Sequence, residues 1–299
     1  MSSFFRLSGI VAAAALAGAA LATESTSSAF ADQPPGSLIP CRTGALAAAI
    51  NWANGHGGGT FTLSGLCAYA ITTPATASDG LPVITSAISL TGGYHTVISR
   101  SPAATSAFRI FDVAAGGSLS LTGLSIQNGS TAGLGGGIQN AGTLRLDQVG
   151  LSGNTAGNGG ALANNSNGVA VIAGAQIRGN TTTAVGGGGI LNFGRLTLSS
   201  VVVAGNTAPV NGGGLNTQPG GTSTIAQSVF TGNVAGGLGG AISNLGTTSL
   251  DRTTVRQNKG SAGGGIATGN TDVTLRDSAV TGNKPDNCSP LNTIPGCAS

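Results

Sequence analysis

Residues Gly187–Asn206 read GGGILNFGRLTLSSVVVAGN and residues Gly239–Asn258 read GGAISNLGTTSLDRTTVRQN, and the two segments align end to end without a gap. Four more segments share the frame: GGGIQN at Gly135, GGALAN at Gly159, GGGLNT at Gly212 and GGGIAT at Gly263. They run through short Leu/Ile/Val patterns to Asn154, Asn180, Asn233 and Asn283. The six closing Asn residues fall 26, 26, 27, 25 and 25 residues apart. That period is too short for a propeller blade and carries no helical pattern, so it identifies a solenoid.

Counting back from each Asn exposes the columns. Three residues earlier stand Leu151, Ile177, Val203, Phe230, Val255 and Val280, and eight earlier stand Leu146, Ile172, Leu198, Ile225, Leu250 and Leu275. If one repeat is one coil, like stacks on like at about 4.8 Å and each coil buries a row it could not bury alone. The expected fold is all-β, a parallel β-helix of about ten coils and on the order of 45 Å long. Gly and Asn suit its corners, because both tolerate left-handed backbone. A second polar column, Asn140, Asn164, Asn192, Thr217, Asn244 and Thr268, is placed to hydrogen-bond from coil to coil.

Composition agrees with this frame. The 299 residues include 53 Gly and only 7% charged residues, with a net charge of +3. Recurrent Leu, Ile and Val exclude a disordered linker, the lack of a strict Gly-X-Y period excludes collagen, and scattered Lys and Arg give no basic patch for nucleic acid.

The chain divides into 1–31, 32–118, 119–284 and 285–299. Arg6, the apolar run Ile10–Ala22 and Ala29-Phe30-Ala31 read as a secretory signal peptide cleaved after Ala31, with an earlier A-x-A at Ala20–Ala22. The run Ile10–Ala22 is too short to span a membrane and no other long apolar run follows, so the protein is expected outside the cell. In 32–118, Leu46, Ala49, Ile50 and Ala53 have helical spacing within Ala45–Asn54. Such a helix would cap the open end of the first coil. Irregular coils follow through Phe61–Leu63, Ala70–Thr72, Val83–Leu90, Val97–Ile98, Phe108–Val113 and Leu119–Ile126. Of three possible pairings, local bridges Cys41–Cys67 and Cys288–Cys297 are the natural one. No Cys-x-x-Cys or nearby His suggests a metal.

The repeats resemble those of the polymorphic outer membrane proteins, whose hallmarks are GGAI, here Gly239–Ile242, and FxxN, here Phe230–Asn233. The frame also resembles right-handed parallel β-helix proteins of the pectate-lyase-like superfamily, as do GLPVI at Gly80–Ile84, Ile98–Arg100 and FRIF at Phe108–Phe111. A right-handed coil is implied, in keeping with the handedness of parallel crossovers. The resemblance implies either a surface adhesin or a polysaccharide lyase or hydrolase, and fold alone does not choose between them.

Catalysis on sugars calls for paired carboxylates, and lyases of this fold add acidic clusters for Ca²⁺. After Ala31 the chain holds eight Asp and no Glu. Asp147 and Asp251 share a column but stand four coils apart, about 19 Å. Asp251, Arg252, Arg276 and Asp277 alternate in two columns and are expected to pair between coils. From Leu119 onward the aromatics are Phe193 and Phe230, too few for a long sugar cleft, and the columns lack the regular Thr-x-Thr ladders of an ice-binding face. The best constellation is Tyr94, His95, Arg100, Arg109 and Asp112, where the arginines would face an anionic substrate and His95 would move a proton. Its structural alternative is an Arg109–Asp112 bridge beside a turn histidine. His56, in GHGGGT, reads as a loop residue, and the glycosylation patterns at Asn128, Asn164 and Asn180 as chance.

The expectation is therefore a monomeric, non-enzymatic extracellular protein that needs no cofactor and presents a repetitive face to a glycan, cell-envelope or protein partner. The alternative is a carbohydrate-active enzyme with its site on the N-terminal coils and Ca²⁺ only if it is a lyase.

Overall fold

In the coil that begins at Arg195, outward Arg195, Thr197 and Ser199 alternate with buried Leu196 and Leu198, and this period of two makes a strand over Arg195–Ser199. Ser200 then turns the chain with a left-handed φ of 56° into the strand Val202–Ala204. Gly205 turns it again, Asn206 points inward, and the strands Thr207–Ala208 and Leu215–Thr217 complete the circuit. The next strand, Thr222–Ala226, lies on Arg195–Ser199 in parallel register, with Ile225 on Leu198.

Repetition of this circuit gives a parallel β-solenoid of about ten turns, seen in a computed structural model that describes residues 37–93, 95–270 and 272–297. Its strands form sheets of ten, nine, five and eight, here the first to fourth in the order in which the coil from Arg195 to Thr217 meets them. Residues 1–31, read from the sequence as a signal peptide, and Tyr94 lie outside the described residues. Both expected apolar columns line the core, joined by Ile138, Leu162, Ile190, Leu215, Ile242 and Ile266 from the fourth sheet. Each fully buried aliphatic side chain contributes roughly 1.5–3 kcal/mol.

The closing Asn residues form a continuous buried ladder. Nδ2 of Asn154, Asn180, Asn206, Asn233 and Asn258 each donates to Oδ1 of the next Asn at 2.9–3.0 Å, and that same oxygen accepts the backbone N–H of the donor residue. Asn287 accepts from Asn283 and closes the C-terminal end of the ladder. The second column runs directly from Asn140 through Asn164 to Asn192 and then meets Thr217, whose side chain is shorter. There Ser223 and Thr248 replace aliphatic residues in an interior column, and their hydroxyls carry the network from Asn192 past Thr217 to Asn244.

Each glycine pair does two jobs. The first glycine is left-handed and packs over the residue four places on, so that a Cβ at Gly212 would lie 2.8 Å from that of Asn216. The second touches the neighbouring coil, where a Cβ at Gly188 would lie 2.5 Å from the carbonyls of Thr207 and Gly213. Folded this way, the chain covers the outer face of the fourth sheet. Ala163, Leu191, Asn216, Ser243 and Ala267 are thereby buried outside the main core, together with Ala156, Thr182, Ala208 and Ala235 from the third sheet.

Both ends are closed. The helix α1 (Thr43–Gly55) buries Ala45, Leu46, Ala49, Ile50 and Ala53. Cys41, just before α1, is bonded to Cys67, just before the first strand of the second sheet. At the other end of α1, Asn54 and Ala53 hydrogen-bond to Val83, Thr85 and Ser86, so the helix spans the end of the first coil. His56 stacks on Trp52 with ring centroids 4.3 Å apart, and Gly58–Leu63 after it forms a strand. The C-terminal segment adds the strand Cys288–Ser289, buries Ile294 in the core and is bonded through Cys288–Cys297. Among the described residues, no helix is long and apolar enough to cross a membrane.

Candidate functional site

His95 is exposed and occupies the corner between the first and second sheets, with φ 61°. The same corner is left-handed at Leu66, Gly123, Gln148, Gly174, Ser200, Gln227, Arg252 and Asp277, so backbone geometry accounts for the turn at His95. Arg100 ends the strand Val97–Arg100 and holds the loop that follows it. Its Nε and Nη2 donate to the carbonyls of Ser106 and Ala104, each at 2.8 Å, and its guanidinium lies 5.5 Å from the Phe108 ring centroid.

Arg109 lies on another corner, at the entrance to the fourth sheet, and is buried. Its Nη1 reaches Asp79 Oδ1 at 2.6 Å and Asp112 Oδ2 at 3.4 Å, and its Nε donates to the Leu134 carbonyl at 3.1 Å. Asp79 is buried too and accepts hydrogen bonds from the hydroxyls of Thr76 and Ser78. The expected Arg109–Asp112 contact is present, but the shorter bond goes to Asp79, its neighbour across the parallel bridge. Burial pushes the Asp112 carboxyl above its ordinary 3.8 despite the opposing pull of Arg109, and the nearby Asp79 charge adds to the rise. The structure thus brings Arg109, Asp112 and Asp79 together and leaves His95 on a different corner. A buried cation held by two carboxylates and a carbonyl is suited to holding its loops, and little of it is open to a ligand.

At the C-terminal end, Arg276 Nε lies 3.6 Å from Asp251 across the coils, as expected. The other contacts are between chain neighbours, Arg252–Asp251 at 3.0 Å and Arg276–Asp277 at 3.7 Å. The left-handed corner backbone at Arg252 and Asp277 turns the chain between each pair of neighbours. Among the described residues no three His, Cys, Asp or Glu gather as a metal site. Asn164 and Asn180 are fully buried in the ladders and out of reach of glycosylation, whereas Asn128 is exposed.

A groove of about 850 Å³ runs along the corner that carries His95. Gly123, Gly150 and Gly174 floor it, and Ser125, Gln148 and Gln176 supply polar side chains. Sequence reading placed His95 but not this groove, which exists because side chains are missing at positions that look like ordinary turn glycines. No family profile matches the chain, and comparison with curated proteins and with solved structures returns no match.

Proposed function

We propose that this is an extracellular, surface-associated β-solenoid with a non-catalytic binding role, acting as a monomer on a glycan-bearing partner. The observation that carries the reading is the condition of its ionisable groups. Buried Asp79 and half-buried Asp112 are tied to Arg109, while the open groove is lined by glycine, amide and hydroxyl groups. Two formed disulfides suit an oxidising compartment and support export by residues 1–31. The GGAI and FxxN segments supply a glycine corner and two rungs of the Asn ladder. That usage supports assignment to the polymorphic outer membrane protein type of repeat in a right-handed, pectate-lyase-like coil.

A second reading, a carbohydrate-active enzyme, is favoured by one observation: the raised carboxyl of Asp112 beside Asp79 has the character of a general acid. Both readings are tested by offering the purified mature protein neutral and acidic polysaccharides with and without Ca²⁺, and following retention and bond cleavage together. Retention without cleavage is expected. Cleavage lost in Asp112→Asn would establish the enzyme instead, and a protein retained by no polymer would be a structural rod.

A further inference from the structure

The corner groove deepens the binding proposal and rests on it. Packing does not call for glycine at two of its floor positions, and the left-handed backbone there, which favours glycine, is carried by larger residues at other coils. Equivalent left-handed corners carry Gln148, Ser200, Gln227 and Arg252, so a side chain is compatible with this turn. A Cβ on Gly123 would meet nothing nearer than 3.6 Å, and one on Gly174 nothing nearer than 3.4 Å. Side chains are therefore absent where the fold permits them, and their absence opens the trough.

The N-terminal wall is built and fixed. His95 aligns with Gly123 across the coils, yet three residues separate it from Thr91 where none separates Gly123 from Thr122. This longer corner is tied down on several sides. The Gly92 N–H donates to the Thr122 carbonyl at 2.8 Å and the Gly93 N–H to Thr96 Oγ1 at 2.9 Å. Thr96 Oγ1 in turn donates to the Ser64 carbonyl at 3.0 Å. The lining comes from four successive coils, so the trough is about 14 Å long parallel to the solenoid axis.

We propose that this trough binds a neutral oligosaccharide laid along the axis. No Asp, Glu, Lys or Arg lines it, and His95 is its one titratable side chain. A desolvated anionic sugar would find no lysine or arginine in the lining to pair with its carboxylates, the nearby Arg178 being engaged by Gln176. Hydroxyls and amides both donate and accept, which suits sugar hydroxyl groups. Gln176 Oε1 already accepts from Arg178 Nε at 2.9 Å, which leaves its amide N–H groups as the donors for a ligand. A peptide added as a strand is disfavoured, because the corner N–H groups of Gly123, Gln148 and Gly174 are already bonded to the next coil.

Gly123→Gln and Gly174→Gln place in the groove the side chain that the same corner carries at Gln148 and Gln227, so the solenoid is expected to keep its native circular dichroism with a thermal transition modestly lowered by left-handed strain. Isothermal titration with cellohexaose, mannohexaose and chitohexaose, and separately with oligogalacturonate, tests the proposal. Binding of a neutral hexaose that weakens at least about tenfold in each variant is expected, a change of roughly 1.4 kcal/mol. Neutral binding that survives both substitutions would refute the groove while leaving the wider binding role intact. Binding of oligogalacturonate alone would refute the neutral ligand. If no oligosaccharide binds and the intact protein is also retained by no polysaccharide, both proposals fall. In either variant, a thermal transition shifted with loss of the native circular dichroism would move the test to Ser125→Gln, which narrows the same trough from its outer strand.

Discussion

Asn206 shows how much one side chain holds when it repeats. Its Nδ2 donates to the Ile177 carbonyl and to Asn233 Oδ1, and its Oδ1 receives both the N–H and the Nδ2 of Asn180. Asn206→Ala would strip partners from several fully buried groups, and a buried unsatisfied group costs about 1–3 kcal/mol. A loss of about 2–4 kcal/mol in urea unfolding is expected, against almost none for exposed Asn167→Ala. Asp112 should behave in the opposite sense. Its carboxyl is raised above 3.8 in the fold, so the stability it lends is complete below the unfolded value and is lost as pH climbs through the folded one. Asp112→Asn is therefore expected to raise the melting temperature at neutral pH and to flatten its dependence on pH above 4. Asp79→Asn, which removes the negative charge opposite a buried guanidinium, should lower the stability by about 3 kcal/mol. Melting curves for the pair, measured across acid to neutral pH, check both signs.

At the scale of elements, the ends depend on fastenings that the middle does without. The middle coils have neighbours on both sides, whereas α1 and the C-terminal segment each have one. Cys41–Cys67 closes a separation of 26 residues and Cys288–Cys297 one of 9, so loop entropy assigns about 3.5 and about 2.6 kcal/mol to them. Cys41→Ser/Cys67→Ser is expected to free α1 before the repeats melt. Hydrogen exchange would then show the 43–71 segment exchanging early while the ladder amides of Asn180 and Asn206 stay protected. Equal loss of protection everywhere would mean that the cap and the coils form one cooperative unit. The helix and both disulfide pairs were legible in the sequence, from spacing of three and four in the first case and from position in the second. The second buried layer under the third sheet was not. Its strands are two to five residues long, and a three-residue strand such as Leu215–Thr217 buried on both faces shows no alternation to read.

Across the whole molecule, a solenoid has an exposed cross-section at each end, with apolar interior and unpaired strand edge. Here α1 covers one end and Ile294 with its disulfide-bonded segment covers the other. Ile50→Asp, which puts a charge at the fully buried centre of α1, is expected to lift the cap and expose the first coil. Size-exclusion chromatography should then show concentration-dependent self-association beyond that of the parent protein, and an elution volume unchanged from the parent's would mean that the end is protected by the strands themselves.

The sequence by itself determined the coil. A fixed spacing between Asn residues, with Leu, Ile and Val at constant offsets, forces like onto like wherever strands stack in register, and the glycines beside them mark the corners. The same reading found the hydrogen-bonded column at Asn140, Asn164 and Asn192, whereas the closing Asn residues, expected at left-handed corners, point inward as a second ladder and the residue before each takes the left-handed turn. Tertiary structure decided what lies off that period. Asp79 meets Arg109 from 30 residues away in the longer N-terminal coils, beyond the reach of a frame anchored on 25 to 27. The groove at His95 comes from what is missing, at Gly123 and Gly174, and an absent side chain carries no signal until its neighbours in other coils show that the space was free to be filled.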